Sequence, residues 1–436
     1  MTTLNAALPV GRDSLQALSK NRQEPAWLTE LRLKALDLAG TLDLPKLEKT
    51  RIDRWNIDSY GEYKEINEVE SLDDLPAEIS GLISQDSTKS GLLIQRNSGV
   101  VYTSLSDELK QKGVILTDLE TAAREHEDLV KPYLMQAVKM DEHRLAALHA
   151  ALWCGGLFLY VPKNVTIEDP IQALFLSDDA EALFAPHVLI VADENSSVTY
   201  VDNYVSGTST GAVMHNGIAE VFAKNGAAVR FASIHNFNDQ ATDVTYRRAV
   251  LENDARIEWI IGELNYGDAV SDTNSILRGN GSMSYAKVIC VGTDDQRLNI
   301  TTRATHFGKS SDSDMITRAV MRDEATAIIN GITKIEHGAT HCNGEQTERI
   351  LMLSPKARGD ANPILLIDED EVTAGHAASV GQVNKEQVYY LMSRGLTKDE
   401  AEKLIIYGFL EPVVTLIPIK AVEEQLKDLV ERKLGR

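Results

Sequence analysis

The sequence predicts a mainly β protein: a parallel β-solenoid core between a mixed, mostly helical N-terminal region and a helical C-terminal region. Two observations carry this. Between roughly residues 155 and 377 one unit recurs, an apolar strand, a short turn of Asp, Asn or Gly with small residues, and a second apolar strand. Beyond residue 378 the apolar residues switch to the three-to-four spacing of a helix face.

Residues 1–150 form the first region. Pro25-Ala26-Trp27 opens a helix with Leu28, Leu31, Leu33, Leu36 and Leu38 at near-helical spacing. Leu92 to Tyr102 is β-like and is split by the turn Asn97-Ser98-Gly99. From Ser106 to about Cys154 the pattern returns to helix, with Val130, Tyr133, Leu134 and Val138 on one face. Pro132 marks a helix start inside that stretch, and Gly155-Gly156 stops it.

Residues 151–377 form the core. The unit reads VLIVADENSSVTYV, AEVFAKNGAAVRFA, AVLENDARIEWI, SILRGNGSMSYAKV, AVMRDEATAIIN and, more loosely, LMLSPKARGDANPILLI. Anchored on Val198, Val229, Ile257 and Met283, the spacings are 31, 28 and 26 residues. A repeat of that size made of short strands and tight turns is one coil of a solenoid. One coil cannot bury its inner face alone, whereas a stack shares a continuous core. An antiparallel sandwich competes, because turns such as Asn225-Gly226 also suit hairpins.

Residues 378–436 read as helices. Gln387 to Met392 puts Val388, Leu391 and Met392 on one stripe, which Gly395 ends. Thr397 and Glu400 make a capping box for a second helix whose apolar face is Ala401, Leu404, Ile405 and Phe409, ended by Pro412. A last amphipathic helix runs from about Ala421 to Leu434. Such helices either cap the stack or bind a partner, and cutting the chain after Val383 is expected to leave a folded β core.

The charge balance, 44 basic against 65 acidic residues for a net −21, repels phosphate backbones and anionic membrane faces, so neither is an expected partner. Cys154, Cys290 and Cys342 lie far apart with no C-x-x-C pair, which argues neither a disulfide framework nor a zinc ribbon and fits a reducing compartment. No basic stretch followed by an apolar one opens the sequence, and no run approaches the roughly 18 apolar residues of a membrane span. A cytoplasmic protein is expected. Gly308-Lys309-Ser310 is similar to the end of a phosphate-binding loop, but Arg303 stands where that loop needs glycine. Gly279-Asn280-Gly281 lacks a dinucleotide-fold context. H-E-x-x-H is absent, and no enzyme activity is expected. His337, His341 and Cys342 would offer metal donors on a strand, yet Gly338 between them suggests an ordinary turn. His376 lies in GHAASVGQ, where small neighbours leave an imidazole accessible.

The stretches HGATHCNGEQTERILMLSPKARGDANPILLIDEDEV and GHAASVGQVNKEQVYYLMSRGLTKDEAEKLIIYGF, within Ile335 to Pro412, resemble the SufB/SufD family and its SufD branch in particular. EPAWLTELRLKAL and ALWCGGLFLYVPKNV extend the likeness more weakly over most of the chain. The resemblance implies a right-handed parallel β-helix flanked by helical regions, and a scaffold subunit of an iron–sulfur cluster assembly complex. Such a subunit pairs with a SufB-like paralogue, or with itself as a homodimer, and docks a SufC-like ATPase on its C-terminal helices. Here the docking residues would be Val388, Tyr390, Leu391, Arg394, Leu404 and Phe409. His376 takes the place of the family histidine set at the subunit joint, as a ligand of a transient cluster, with nothing tightly bound to the isolated chain. Ala374 stands where some SufD-like sequences have cysteine. Competing readings are a SufB-like subunit that carries a cluster itself, a β-helix carbohydrate-active enzyme, and a hexapeptide-repeat acyltransferase, whose six-residue period is not seen.

Overall fold

A computed structural model describes residues 8–67, 69, 71–72, 83, 87–207, 211–415 and 420–435. At one corner of its core, successive coils turn on a single residue in the left-handed region. Asn164, Asn195, Gly226, Asp254, Gly281, Ser310 and His341 have φ between 53° and 69° and follow one another at 31, 31, 28, 27, 29 and 31 residues. Short polar side chains and glycine tolerate that conformation best. The backbone N–H of each donates to a carbonyl one coil further on, from Asn164 to Glu194 through to His341 to Glu371, at 2.6–2.9 Å. The turns thus stack as regularly as the strands.

Ahead of the core come α1 (Arg12–Asn21), α2 (Ala26–Ala39), the short α3 (Ser87–Ser90) and the hairpin β1 (Gly91–Arg96) and β2 (Gly99–Leu105). Then follow α4 (Asp107–Gln111), β3 (Ile115–Thr117), α5 (Leu119–Glu125), α6 (Glu127–Val130) and α7 (Arg144–Leu152). The core strands are β4 (Leu157–Val161), β5 (Ile171–Ser177), β6 (His187–Ala192), β7 (Ser197–Ser206), β8 (Met214–Ala223), β9 (Ala228–Asn236), β10 (Thr242–Leu251) and β11 (Arg256–Glu263). They continue as β12 (Asp268–Leu277), β13 (Met283–Gly292), β14 (Arg297–His306), β15 (Asp312–Met321), β16 (Thr326–Ile335), β17 (Asn343–Met352), β18 (Arg358–Ile367) and β19 (Thr373–Gln382). Helices α8 (Lys385–Ser393), α9 (Lys398–Val414) and α10 (Lys420–Gly435) close the chain.

Consecutive core strands lie in opposite sheets. One sheet has the order β19-β17-β15-β13-β11-β9-β7-β5-β1-β2 and the other β18-β16-β14-β12-β10-β8-β6-β4-β3. Every pairing from β4 to β19 is parallel, and antiparallel pairs among these strands occur only at β1–β2 and β3–β4. The parallel solenoid therefore holds and the sandwich does not: Asn225-Gly226 joins β8 to β9 across the two sheets. Two details of the repeat differ from the sequence reading. Val198, Val229 and Ile257 share one ladder column, but its next member is Ser284; Met283 pairs with Arg256 and is 39% exposed. A slip of one residue moves a side chain to the other face. Moreover, AVMRDEATAIIN and LMLSPKARGDANPILLI cross the opposite corner of the coil from the other four units, so the two sets do not share a register.

Between the sheets, Phe175, Val188, Phe231, Trp259, Ile300 and Ile329 belong to one continuous core. Each outer face is covered in part. Leu28 and Leu36 of α2 and Leu145 and Leu148 of α7 join Leu189, Ile218 and Phe222 on the nine-stranded sheet. Ile406, Leu410 and Val413 of α9 and Leu426 and Val430 of α10 join Ile234, Ile260, Ile289 and Val320 on the ten-stranded sheet. Cutting after Val383 would strip that second covering and expose an apolar sheet face, so an independently folded β core is not expected. No described helix is long and apolar enough to cross a membrane.

Three local expectations are corrected. Residues 131–143 form turns, and no helix starts at Pro132. The buried Glu220 carboxylate accepts the N–H groups of Met135, Ala137 and Val138 at 2.6–2.9 Å, taking the donors a helix would have used. Helix α9 runs through Pro412 to Val414, because burial of Val413 and Val414 against the sheet outweighs one lost hydrogen bond. Its buried face is Ala401, Ile406, Leu410, Val413 and Val414, which leaves Leu404 53% exposed.

Candidate functional site

The last coil differs from all others in exposure. β18 and β19 each end a sheet, so one edge of each has no strand partner among the described residues. Ile364, Leu366, Ile367 and Val380 are 36–47% exposed there. β19, TAGHAASVGQ, contains no charged residue and no proline, whereas edge strands that must stay unpaired usually carry such residues. The end of the stack is chemically open to another strand.

His376 sits in the middle of β19, opposite Gln346 of β17. Alternation fixes its face: Gln346, Glu348 and Ile350 look inward, so the ladder puts His376 and Ala378 on the inner side of the terminal strand. The imidazole is exposed and makes no hydrogen bond or ion pair within the described residues. Next to it Gln346 accepts from the Thr333 hydroxyl at 3.0 Å. Glu348 opposes Ala378 and is 1% exposed, and burial with no neighbouring cation pushes its carboxyl up to about 7.

The adjoining helices present a second surface. Asn384 caps α8 by accepting from the N–H groups of Glu386 and Gln387, and Gly395, with φ 102°, ends it. Tyr389 and Tyr390 are 75% and 57% exposed, and the Arg394 guanidinium lies 5.1 Å over the Tyr390 ring. Tyr390, with Leu391 and Leu404, borders a groove between α8 and α9. Of the other expected docking residues, Val388 is buried, and Phe409 lies half-buried beneath the Arg318 guanidinium, turned toward the solenoid.

His337 and His341 do not converge with Cys342. Both histidines are largely exposed on the turn between β16 and β17, near Glu369 and Glu371 at 3.7 and 3.8 Å, while the Cys342 sulfur is buried against Ser311 and Gly308. His341 is there as the left-handed residue of its coil. Gly308-Lys309-Ser310 is the equivalent turn one coil earlier: the Lys309 N–H donates to the Asn280 side chain and Ser310 is the left-handed residue. Burial pushes the Cys154 and Cys290 thiols up, to about 11 and 12, away from the thiolate that binds metal.

One constellation escaped the sequence reading. Inside the solenoid His215, His235 and Asp243 bring three donor atoms within 4.8 Å of one another. Each histidine faces an Asp243 oxygen through Nδ1 at 2.7 Å, and Asn265 and Thr245 donate to the same carboxylate. Arg247 donates to His235 Nε2 at 2.6 Å. Both Nδ1 atoms are spent on the carboxylate, two further donors saturate it, and Arg247 holds the far nitrogen of His235, so the group is a hydrogen-bond network in the core. Its members are scattered over β8, β9 and β10, and no local spacing links them.

Two family models match the chain: the SUF system FeS cluster assembly SufBD core domain over residues 175–409, and the SufBD protein N-terminal region over residues 86–173. The chain belongs to the SufBD family. SufD of Bacillus subtilis, an iron-sulfur cluster assembly protein, is 49% identical over 435 residues, covering 99% of this chain and all of the relative. SufBD family proteins of Staphylococcus haemolyticus and Staphylococcus epidermidis are each 28% identical, over 94% and 93% of this chain and 90% and 89% of theirs. The SufBD core match runs from β5 into α9 and so includes the open coil, His376 and the α8–α9 groove. The likeness read from the motifs between Ile335 and Pro412 is thus borne out, SufD branch included.

Proposed function

We propose that this chain is a non-catalytic scaffold subunit for iron–sulfur cluster assembly. It pairs through its open coil with a SufB-like paralogue, in place of which a second copy can stand, and it docks a SufC-like ATPase on α8 and α9. The uncharged free edge of β19 supports this best: it offers unpaired backbone groups beside exposed aliphatic side chains, the combination strand addition uses. The exposed aromatic and aliphatic groups of α8 and α9, Tyr389, Tyr390, Met392 and Leu404, support the second surface. His376 would face the joint and offer a neutral imidazole to iron, which is cargo here, passing through as a transient cluster. The absence of a phosphate-binding loop is consistent with ATP hydrolysis belonging to the partner.

The test is to reconstitute the chain with SufB-like and SufC-like partners under anaerobic conditions, parent against His376→Ala and Ala377→Lys. Ala377→Lys, which puts a charge on the edge strand, should abolish pairing with the paralogue. His376→Ala should assemble normally and carry less iron. Unchanged pairing of Ala377→Lys would refute the edge as the joint, and unchanged iron in His376→Ala would return that histidine to a surface residue.

A further inference from the structure

Glu348 is a carboxylate buried inside the solenoid near its open end, with no cation beside it among the described residues. Other buried carboxylates inside the solenoid have a cation or more donors: Glu263 has Arg247, Asp243 has two histidines, Asn265 and Thr245, and Asp202, whose Oδ1 also lacks a partner, has the Ser233 and Tyr200 hydroxyls. Glu348 is 1% exposed, and among the described residues no ion pair reaches it and its Oε2 has no hydrogen-bond partner. The facing sheet is shaped around it. Gly331 of β16 lies opposite, and a β-carbon there would come within 1.9 Å of Glu348 Oε1. The core thus gives room to a carboxylate it does not neutralise, which is costly unless something else does so.

Its position suggests what that is. Glu348 lies one strand in from the open end, and the residue opposing it on β19 is Ala378, whose single methyl is exposed. His376, two residues before Ala378, shares the inner face of β19, so Glu348 and His376 are diagonal neighbours on one side of one ladder. Diagonal positions stand about 7–8 Å apart at Cα, within reach of two long side chains. An oxygen of Glu348 and the imidazole of His376, neither partnered among the described residues, thus occupy diagonal positions near the open end, and they are hard and borderline donors suited to a divalent first-row cation.

We propose that Glu348 is a second protein ligand beside His376 for a divalent cation at the open end of the solenoid, ferrous iron being the cargo. This rests on the reading of His376 as a ligand at the joint. The two donors leave most coordination positions free, so the isolated chain holds the cation weakly and the docked partner completes the shell.

The test uses the full-length chain with cobalt(II), whose visible absorption reports its ligands, titrated by calorimetry into the parent, Glu348→Gln, His376→Ala and the double variant. The parent should bind one cobalt per chain. Each single variant should lose about ten-fold or more in affinity, and the double variant should lose little beyond that, as two ligands of one ion would. Glu348→Gln keeps the side chain's shape, and its melting temperature should equal or exceed the parent's, so lost binding cannot be put down to unfolding. Parent-like cobalt binding by Glu348→Gln, or no binding by the parent, would overturn the proposal. Reconstitution with the paralogue and the ATPase tells the two readings apart: a Glu348→Gln complex that forms and carries normal iron removes Glu348 as a ligand but leaves the scaffold reading standing.

Discussion

At the N-terminal end of the stack the parallel coil gives way to short antiparallel strands. β2 folds back on β1 and β3 lies antiparallel on β4. Charged groups then pin the covering helices: Arg32 pairs with Glu24 and donates to the carbonyls of Ala151 and Trp153 at 3.0 Å, and Arg22 pairs with Glu120, whose carboxylate accepts the Gly155 N–H. At the C-terminal end β18 and β19 have no such finish, and their side chains are mostly exposed. Both ends terminate the same kind of coil. One is covered by helices and ion pairs within the chain; the other stands exposed. Stability therefore concentrates at the first, and the second is the end proposed to bind.

Substitutions can break this contrast. The largest effect is expected at the covered end, where Glu220→Ala orphans three buried N–H groups and leaves His187 without its carboxylate. A loss of about 3–5 kcal/mol should appear as a lower urea midpoint. A smaller effect should follow pH. Burial lowers His143, which caps α7, to about 4, and also His306, between Ser311 and Ser313. Groups whose folded pKa is depressed stabilise the fold above their unfolded value near 6.5, and lose that contribution as pH falls toward 4. Each is worth about 2–3 kcal/mol, and acid titration of His143→Gln should show the step reduced.

The open end should respond with the opposite sign. Glu348 holds its proton to about 7 in the fold but only to about 4.5 when unfolded, so the parent loses stability as pH rises between those values. Glu348→Gln should be more stable than the parent at pH 8 by about 1–2 kcal/mol, a figure reduced for screening at the open end. Equal melting curves at pH 8 would contradict the uncompensated carboxylate. The smallest effect belongs to the exposed residues. Tyr390→Ala and Leu404→Ala should change stability by no more than about 0.5 kcal/mol while weakening ATPase docking, and a large drop in melting temperature would show them to be structural.

The coil was legible because its turns repeat Asn, Asp and Gly at a near-constant interval; Val198, Val229 and Ile257 even fell in one column. Met283 missed by one because alternation tells faces apart only when the face is apolar, and the inner residue there is Ser284. Turns 131–143 were misread as helix because the group that unwinds them, Glu220, comes from a strand some eighty residues away. The α9 face was misplaced for a like reason: Ile406 and Leu404 are equally apolar, and only the sheet beneath decides between them. At the candidate site His376 announced itself through its small neighbours. Glu348, in the ordinary-looking strand NGEQTERILM, gave no sign of lacking a partner.

The left-handed turns bear on how such a chain can change in length. Each turn N–H is received by the carbonyl just before the next left-handed residue, so every coil both donates to and accepts from its neighbours through one fixed point. Gaining or losing a single residue inside a strand would put that point out of step and reverse the faces of all that follows in the coil. Gaining or losing one whole coil, 27 to 31 residues, keeps every later contact in place. Corners can take up a few residues, as the unequal spacings show, but the height of the stack changes only in whole coils, and each step moves its open end along the stack without altering the surface it presents.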